Sequence, residues 1–190
     1  MKSIALLFLL ATLALGQTTA PANRTAAEMA KGYLADALKE ASQASAAHRF
    51  ADETLQSQLD GLPTKVTAEA LEDLLAKSVD LSDKTELLDK QCTVLVKTVE
   101  KNKNLLGYNS YLNQAQLARD LADRFYGQLT FSNTIIMQAW RILFNEPLPR
   151  LQPSQLLEVL EAKRKKLAKA AAIHNHGPPP FIMEVVRLFL

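Results

Sequence analysis

The sequence predicts an all-α protein, an elongated antiparallel helical bundle of three long helices, one shorter helix and an apolar C-terminal tail. Apolar side chains recur at alternating spacings of three and four residues over long stretches of the chain. Proline and glycine lie between these stretches, and no segment shows the sustained period-two alternation of a strand. Helices of similar length joined by short turns are expected to run up, down and up.

The first helix is expected to begin at Thr25, where Thr25-Ala26-Ala27-Glu28 has the sequence of a capping box. The apolar stripe that follows is mostly alanine. Its members are Ala30, Leu34, Ala37, Ala41, Ala44, His48, Ala51 and Leu55. Alanine lets helices approach closely but buries little area, so this helix is expected to be the least secure in its packing. Gly61 is placed to end it.

The second helix is expected from about Thr67 to Leu106, with heptad spacing sustained over five repeats. Its stripe comprises Leu71, Leu74, Ser78, Leu81, Thr85, Leu88, Cys92, Leu95, Val99, Asn102 and Leu106. Ser82-Asp83 has the composition of a helix cap, which allows a kink or break at residues 79–82. Gly107 is expected to terminate the helix in the left-handed conformation.

The third helix is expected from about Ser110 to Phe144, again with alternating spacings. A second set of large apolar residues widens its stripe, which is typical of a helix that faces more than one neighbour. This second set comprises Leu121, Ile135, Trp140 and Phe144. A proline-rich connector over 147–153 leads to the fourth helix, in which Pro153 suits the first turn.

The N-terminus has the layout of a secretory signal peptide, with a lysine, an apolar run of about a dozen residues and small residues before Gln17. The run is too short to span a bilayer, so cleavage after Gly16 and secretion without a transmembrane anchor are expected. The predicted organisation is a signal peptide at 1–16, a flexible segment at 17–24, a bundle at 25–176 and a proline-rich turn with the tail at 177–190. Asn23 begins an N-glycosylation sequon.

The charge balance and the motifs argue against catalysis and against nucleic-acid binding. The formal net charge is +2, which disfavours a dedicated nucleic-acid binder. No nucleotide-binding glycine loop, paired CxxC, HExxH or GxSxG motif occurs. His174 and His176 lie close together, but two metal ligands without a third predict no site. The sequence therefore predicts no enzyme, no metal site and no cofactor.

Three other features are candidate contact sites. Cys92, the single cysteine, occupies a stripe position, which favours a buried free thiol over an intermolecular disulfide. A basic cluster is predicted either to contact heparan sulfate, acidic lipid or an acidic protein, or to form a solvated helix face; it comprises Lys163, Arg164, Lys165, Lys166 and Lys169. The tail is expected either to cover the bundle or to contact a partner or a lipid, through Phe181, Ile182, Val185, Leu188 and Phe189.

The leading functional prediction is a secreted, non-enzymatic interaction protein that binds a protein partner, or itself, through helix faces. A heptad pattern without catalytic or metal motifs favours it. The alternative is an extracellular carrier of lipid or another hydrophobic ligand. In size, secretion and helix layout the chain resembles exchangeable apolipoproteins of the helical-bundle type, and this likeness of architecture implies the alternative.

Overall fold

The computed structural model describes residues 21–61 and 65–175 as an all-α bundle of four helices packed against one another. The helices are α1 (Pro21–Asp60), α2 (Ala68–Glu100), α3 (Tyr108–Phe144) and α4 (Pro153–Asn175). Over these residues 88% of the chain is helical and no strand occurs. The prediction of an all-α bundle with three long helices and one shorter one is confirmed.

The helix α1 begins at Pro21, four residues before the expected start at Thr25. Proline suits a first helical turn because the N–H it lacks would have no partner there. Thr25 and Glu28 consequently lie inside the helix, so the expected capping box is wrong. Glu28 Oε1 instead accepts from Arg24 Nε at 3.1 Å, one turn away. Residues 21–24, the end of the segment expected to be flexible, are helical.

The helix α2 is capped by Thr67 and continues without a break to Glu100. Thr67 Oγ1 accepts from the backbone N–H of Ala70 at 3.2 Å, as an N-cap hydroxyl does. No interruption occurs at residues 79–82. The buried hydroxyls on either side are satisfied within the helix, since Ser78 Oγ donates to Leu74 O at 2.8 Å and Thr85 Oγ1 to Leu81 O at 2.6 Å.

The helix α2 ends six residues before the expected end at Leu106, and a tight turn leads into α3. In this turn three backbone N–H groups each donate to the carbonyl oxygen three residues earlier. These bonds join Asn102 to Val99, Leu105 to Asn102 and Tyr108 to Leu105. This turn buries Leu105 at 4% exposure and leaves Leu106 at 72%. Gly107, with φ of +83°, precedes α3 instead of terminating α2. The expectations that Leu106 belongs to the α2 stripe and that Gly107 terminates α2 were wrong, because α2 ends at Glu100 and the three-and-four spacing of its apolar residues does not apply beyond that residue.

The junction between α3 and α4 follows the sequence signals closely. Asn145, with φ of +53°, takes the left-handed conformation just after α3, and its N–H donates to Arg141 O at 2.9 Å. The helix α4 begins at Pro153, as predicted. Gln155 Oε1 accepts from the backbone N–H of Gln152 at 3.1 Å, so Gln152 acts as the N-cap residue.

The described chain divides into two compact units. Unit 1 contains residues 21–50 and 80–133, and unit 2 contains residues 51–61, 65–79 and 134–175. In unit 1, the alanine stripe of α1 packs against Leu81, Leu88, Cys92, Leu95 and Val99 of α2 and against the small residues and Phe125 of α3. The core of unit 2 has larger side chains, including Leu55, Leu71, Leu74, Ile136, Trp140 and Leu160.

Within unit 1 the direction of each helix follows from its cross-helix contacts. Lys31 Nζ lies 5.8 Å from the centre of the Tyr111 ring, and Ser45 Oγ lies 2.7 Å from Gln128 Oε1. Residue numbers rise together in these two pairs, so α1 and α3 run in the same direction. Lys84 Nζ lies 2.7 Å from Glu40 Oε2 and Cys92 Sγ 3.6 Å from Ala115 O, as expected for an antiparallel α2 between them.

No helix within residues 21–61 and 65–175 combines the length and the apolar composition needed to cross a membrane.

The turn between α2 and α3 yields a test on adjacent residues. Leu105→Ala is expected to lower the free energy of unfolding by about 2–5 kcal/mol, because it removes a buried side chain from the core of unit 1. Leu106→Ala is the matched control and is expected to change it by less than about 0.5 kcal/mol, because that side chain is exposed. Urea unfolding followed by circular dichroism measures both, and equal effects would contradict the described turn.

Candidate functional site

The helix α3 carries a second heptad stripe beside its core stripe, which we call the α3 seam. The spacings along it are four, three, four and three residues, and its members are Leu117, Leu121, Arg124, Gln128 and Phe131. Its two ends are open to solvent, since Leu117 is 64% exposed and Phe131 is 70% exposed. Heptad spacing is the pattern by which one helix packs against another. No helix among the described residues covers Leu117 or Phe131.

A groove between α1 and α3 of unit 1 runs along this seam from Leu121 to Phe131, and Leu117 lies one helical turn beyond it. It has a volume of about 480 Å³. Ser45 and Arg49 line it from α1, and Leu121, Arg124, Gln128 and Phe131 are among the residues that line it from α3. The groove therefore combines apolar walls with two guanidinium groups and a polar floor formed by Ser45 and Gln128.

The polar floor belongs to a hydrogen-bonded cluster of Ser45, His48 and Gln128. Ser45 Oγ donates to Gln128 Oε1 at 2.7 Å. Gln128 Nε2 donates to the carbonyl oxygen of Ser45 at 3.0 Å and lies 2.9 Å from His48 Nδ1. Because the Ser45 carbonyl oxygen can only accept, the Gln128 amide must turn its nitrogen toward that oxygen. The second proton on Gln128 Nε2 then points to His48 Nδ1, which accepts it. The sequence placed His48 on the apolar stripe, and the structure shows it fully buried.

The two arginines give the rim of the groove a positive charge. Arg49 and Arg124 are both exposed. Neither forms an ion pair with any acidic residue in the described part of the chain. An exposed guanidinium next to an apolar wall can hydrogen-bond a carboxylate that an apolar partner brings with it.

Gly127 lies at the edge of the same groove, in the middle of α3. A Cβ atom added there would meet no atom within 4 Å apart from the adjoining residues and the backbone of its own helix. The position therefore accepts a larger side chain without strain in the fold. It offers a way to obstruct the groove while leaving the core of unit 1 intact.

The predicted basic cluster is divided by its surroundings. In unit 2, Lys163 Nζ lies 2.5 Å from Glu146 Oε1 and 5.1 Å from the centre of the Phe144 ring. Arg164 bonds to Glu72, and its Nη2 lies 2.9 Å from Glu69 Oε1. Both residues are half-buried. Their charges thus hold α4 against its neighbours within unit 2.

The other three members of the basic cluster point to solvent. Lys165 Nζ lies 2.6 Å from Glu161 Oε1, one turn earlier on α4. Lys166 and Lys169 are exposed and make no ion pair among the described residues. A contact with heparan sulfate, acidic lipid or an acidic protein would thus use two or three lysines instead of the predicted five charged side chains.

The remaining predicted sites have different positions. Cys92 is fully buried in unit 1, its Sγ donates to Ala115 O at 3.6 Å, and burial raises the pKa of its thiol. Asn23 is exposed in the first turn of α1, and its glycosylation stays a prediction. The signal peptide at 1–16 and the tail residues Phe181, Ile182, Val185, Leu188 and Phe189 lie outside the described residues.

Metal ligands are not clustered within residues 21–61 and 65–175, where no group of three or more His, Cys, Asp or Glu side chains is placed to hold an ion.

The described residues define the class of this chain as an all-α helical-bundle protein. No family model matches it, and neither a curated protein nor a solved structure matches it. The α1/α3 groove is the feature of unit 1 that bears on its function. The sequence contained the signal for that groove in the spacing from Leu117 to Phe131, of which only Leu121 was recognised as part of a second stripe.

The polar cluster has a testable energetic role. Gln128→Leu leaves buried polar groups of Ser45 and His48 without their amide partner, so it is expected to lower the free energy of unfolding by about 1–3 kcal/mol. The matched control is Gln138→Leu, at an exposed position of α3, which is expected to change it by less than about 0.5 kcal/mol. Urea unfolding of both variants provides the comparison, and a neutral Gln128→Leu would mean that the cluster is dispensable.

The Lys163–Glu146 pair predicts a dependence of stability on pH. The hydrogen bond from Lys163 lowers the pKa of the Glu146 carboxyl below its ordinary value of 4.5. This stabilisation is present above the unfolded-state pKa and is lost as the pH falls through the folded-state pKa. Below about pH 5 the unfolding free energy of the wild-type chain is expected to fall with pH. Lys163→Met is expected to make this slope shallower, by an amount that corresponds to the uptake of a fraction of one proton. Urea unfolding between pH 3 and pH 7 measures the slope, with Lys166→Met as the control that should retain it.

Proposed function

We propose that this chain is a non-enzymatic interaction protein that binds an acidic amphipathic helix of a partner protein in the α1/α3 groove. The observation that carries the proposal is the α3 seam. Its heptad spacing matches the side chains of a docked helix, and its exposed Leu117 and Phe131 are apolar anchors for one. On the basis of the sequence of residues 1–16, we place this activity outside the cell.

The charge of the groove selects the kind of helix. Arg49 and Arg124 stand at the rim without carboxylate partners among the described residues, so a helix with Glu or Asp beside its apolar stripe supplies the complementary charge. A basic helix would be repelled by the same two guanidinium groups. Because Arg124 lies within the α3 seam, the ionic and apolar contacts fall on one face of the partner helix.

The same geometry favours a helix over a lipid chain as the occupant. A lipid tail is best held in an enclosed apolar cavity, whereas this groove has exposed residues at its rim and polar atoms of Ser45 and Gln128 in its floor. A hydrocarbon chain over that floor would exclude water from it and could form no hydrogen bond with Ser45 or Gln128. A peptide helix can bring polar side chains to the same place.

A synthetic three-heptad peptide with Leu at positions a and d and Glu at positions e and g tests the proposal. Fluorescence anisotropy with the full chain is expected to show saturable binding, and the same peptide with Lys in place of Glu is expected to bind at least tenfold more weakly. Arg124→Glu should weaken binding of the acidic peptide at least tenfold, which is about 1.4 kcal/mol. Arg150→Glu, an equal charge change at an exposed connector residue, should leave it unchanged.

Steric obstruction gives an independent measurement. Gly127→Trp is expected to weaken binding at least tenfold because the side chain enters the groove edge, while Gly127→Ala should bind normally and raise the stability of α3 by up to about 1 kcal/mol. Sedimentation equilibrium measures self-association of the full chain, and binding to phosphatidylcholine vesicles measures its affinity for lipid. The partner-helix proposal fails if Gly127→Trp leaves peptide binding unchanged, if the groove residues control self-association, or if vesicles bind and the peptide does not.

A further inference from the structure

The polar floor of the α1/α3 groove restricts the partner helix further than its charge and apolar stripe do. Ser45 and Gln128 both line the groove, at the point on the α3 seam between Arg124 and Phe131. Ser45 is 3% exposed, and Gln128 is half-buried. A helix docked along the seam would cover these polar atoms, so their hydrogen-bonding capacity limits which side chain can lie over them.

The hydrogen bonds already present determine what that capacity is. Both protons of the Gln128 amide are used, one by the carbonyl oxygen of Ser45 and one by His48 Nδ1. The hydroxyl proton of Ser45 is used by Gln128 Oε1. The amide and the hydroxyl have no proton left to donate, while Gln128 Oε1 and Ser45 Oγ each retain a lone pair. Any further hydrogen bond to the floor of the groove must therefore be donated by the partner.

The acceptors are also held rigidly. Gln128 makes three contacts of 2.7–3.0 Å, to Ser45 Oγ, the Ser45 carbonyl oxygen and His48 Nδ1. If the Gln128 amide were rotated by 180°, its oxygen would face the Ser45 carbonyl oxygen, and two acceptors cannot form a hydrogen bond. The floor therefore cannot adjust to an apolar or acceptor-only side chain by rearranging its own protons.

We infer that the Ser45–Gln128 floor selects partner helices that carry a hydrogen-bond donor, such as the amide of Asn or Gln, at the position of the apolar stripe facing Gln128. This inference rests on the proposed function and specifies the partner further. A leucine at that position would exclude water from the remaining lone pair of Gln128 Oε1 and could not donate to it, and the hydrogen bond that is missing corresponds to a loss of about tenfold in affinity. One polar residue in an otherwise apolar stripe also fixes the register of the docked helix.

The test uses three forms of the acidic three-heptad peptide that differ only at the central a position, which is Leu, Asn or Asp. Asn and Asp have nearly the same shape, but ionised Asp can only accept hydrogen bonds. The Asn peptide is expected to bind the full chain about tenfold more tightly than the Leu and Asp peptides by fluorescence anisotropy. Asp is a stringent control because its negative charge is attracted by Arg49 and Arg124, so electrostatic attraction alone would make the Asp peptide bind more tightly than the Asn peptide.

Variants of the floor separate this inference from the proposed function. Gln128→Leu is expected to reverse the order, so that the Leu peptide binds more tightly than the Asn peptide. Ser45→Ala, a smaller change in α1, removes the donor that Gln128 Oε1 already has, so it should increase the preference for Asn, and it serves if Gln128→Leu does not fold. Binding of all three peptides without an advantage for Asn would overturn the donor selection and leave helix docking intact. Failure of every peptide to bind would overturn both.

Discussion

Unit 1 depends on the burial of one apolar stripe of α2 against an α1 face made largely of alanine. Each fully buried leucine or valine of that stripe contributes about 1.5–3 kcal/mol of transfer free energy. Alanine contributes little area but permits the close approach that makes this burial complete. The chain has one cysteine and forms no internal disulfide, so the packing of these helices provides its stability.

The apolar pattern is interrupted where the helices of unit 1 approach its limits at residues 50, 80 and 133. His48 on α1, Thr85 on α2, and Gln128 and Ser132 on α3 occupy positions that the heptad spacing would give to apolar residues or their neighbours. Thr85 and Ser132 each donate to a backbone carbonyl one turn earlier in their own helix, whereas the Gln128 amide bonds to Ser45 and His48 across the α1/α3 contact. Polar residues in an apolar seam reduce stability but restrict how helices can slide past one another, which gives the α1/α3 groove a fixed floor.

The sequence predicted the four helices because their periodicity is local information, and the starts at Thr67 and Pro153 because capping residues mark them. It failed at Leu106, where spacing was extended past the end of α2, and at Thr25, where a proline began the helix earlier. The basic cluster was predicted from composition alone, which cannot show that Glu69, Glu72 and Glu146 pair with two of its members. The α3 seam was visible as spacing, but only packing shows which of two stripes on one helix is left uncovered.

The burial of Cys92 has a consequence for the life of the protein in any oxidising compartment. A native molecule presents no thiol, so it is inert toward oxidants and toward other chains. A molecule that opens unit 1 exposes the sulfur and becomes able to form mixed disulfides, including with thiol-based folding catalysts. The single cysteine therefore chemically distinguishes intact copies from damaged ones.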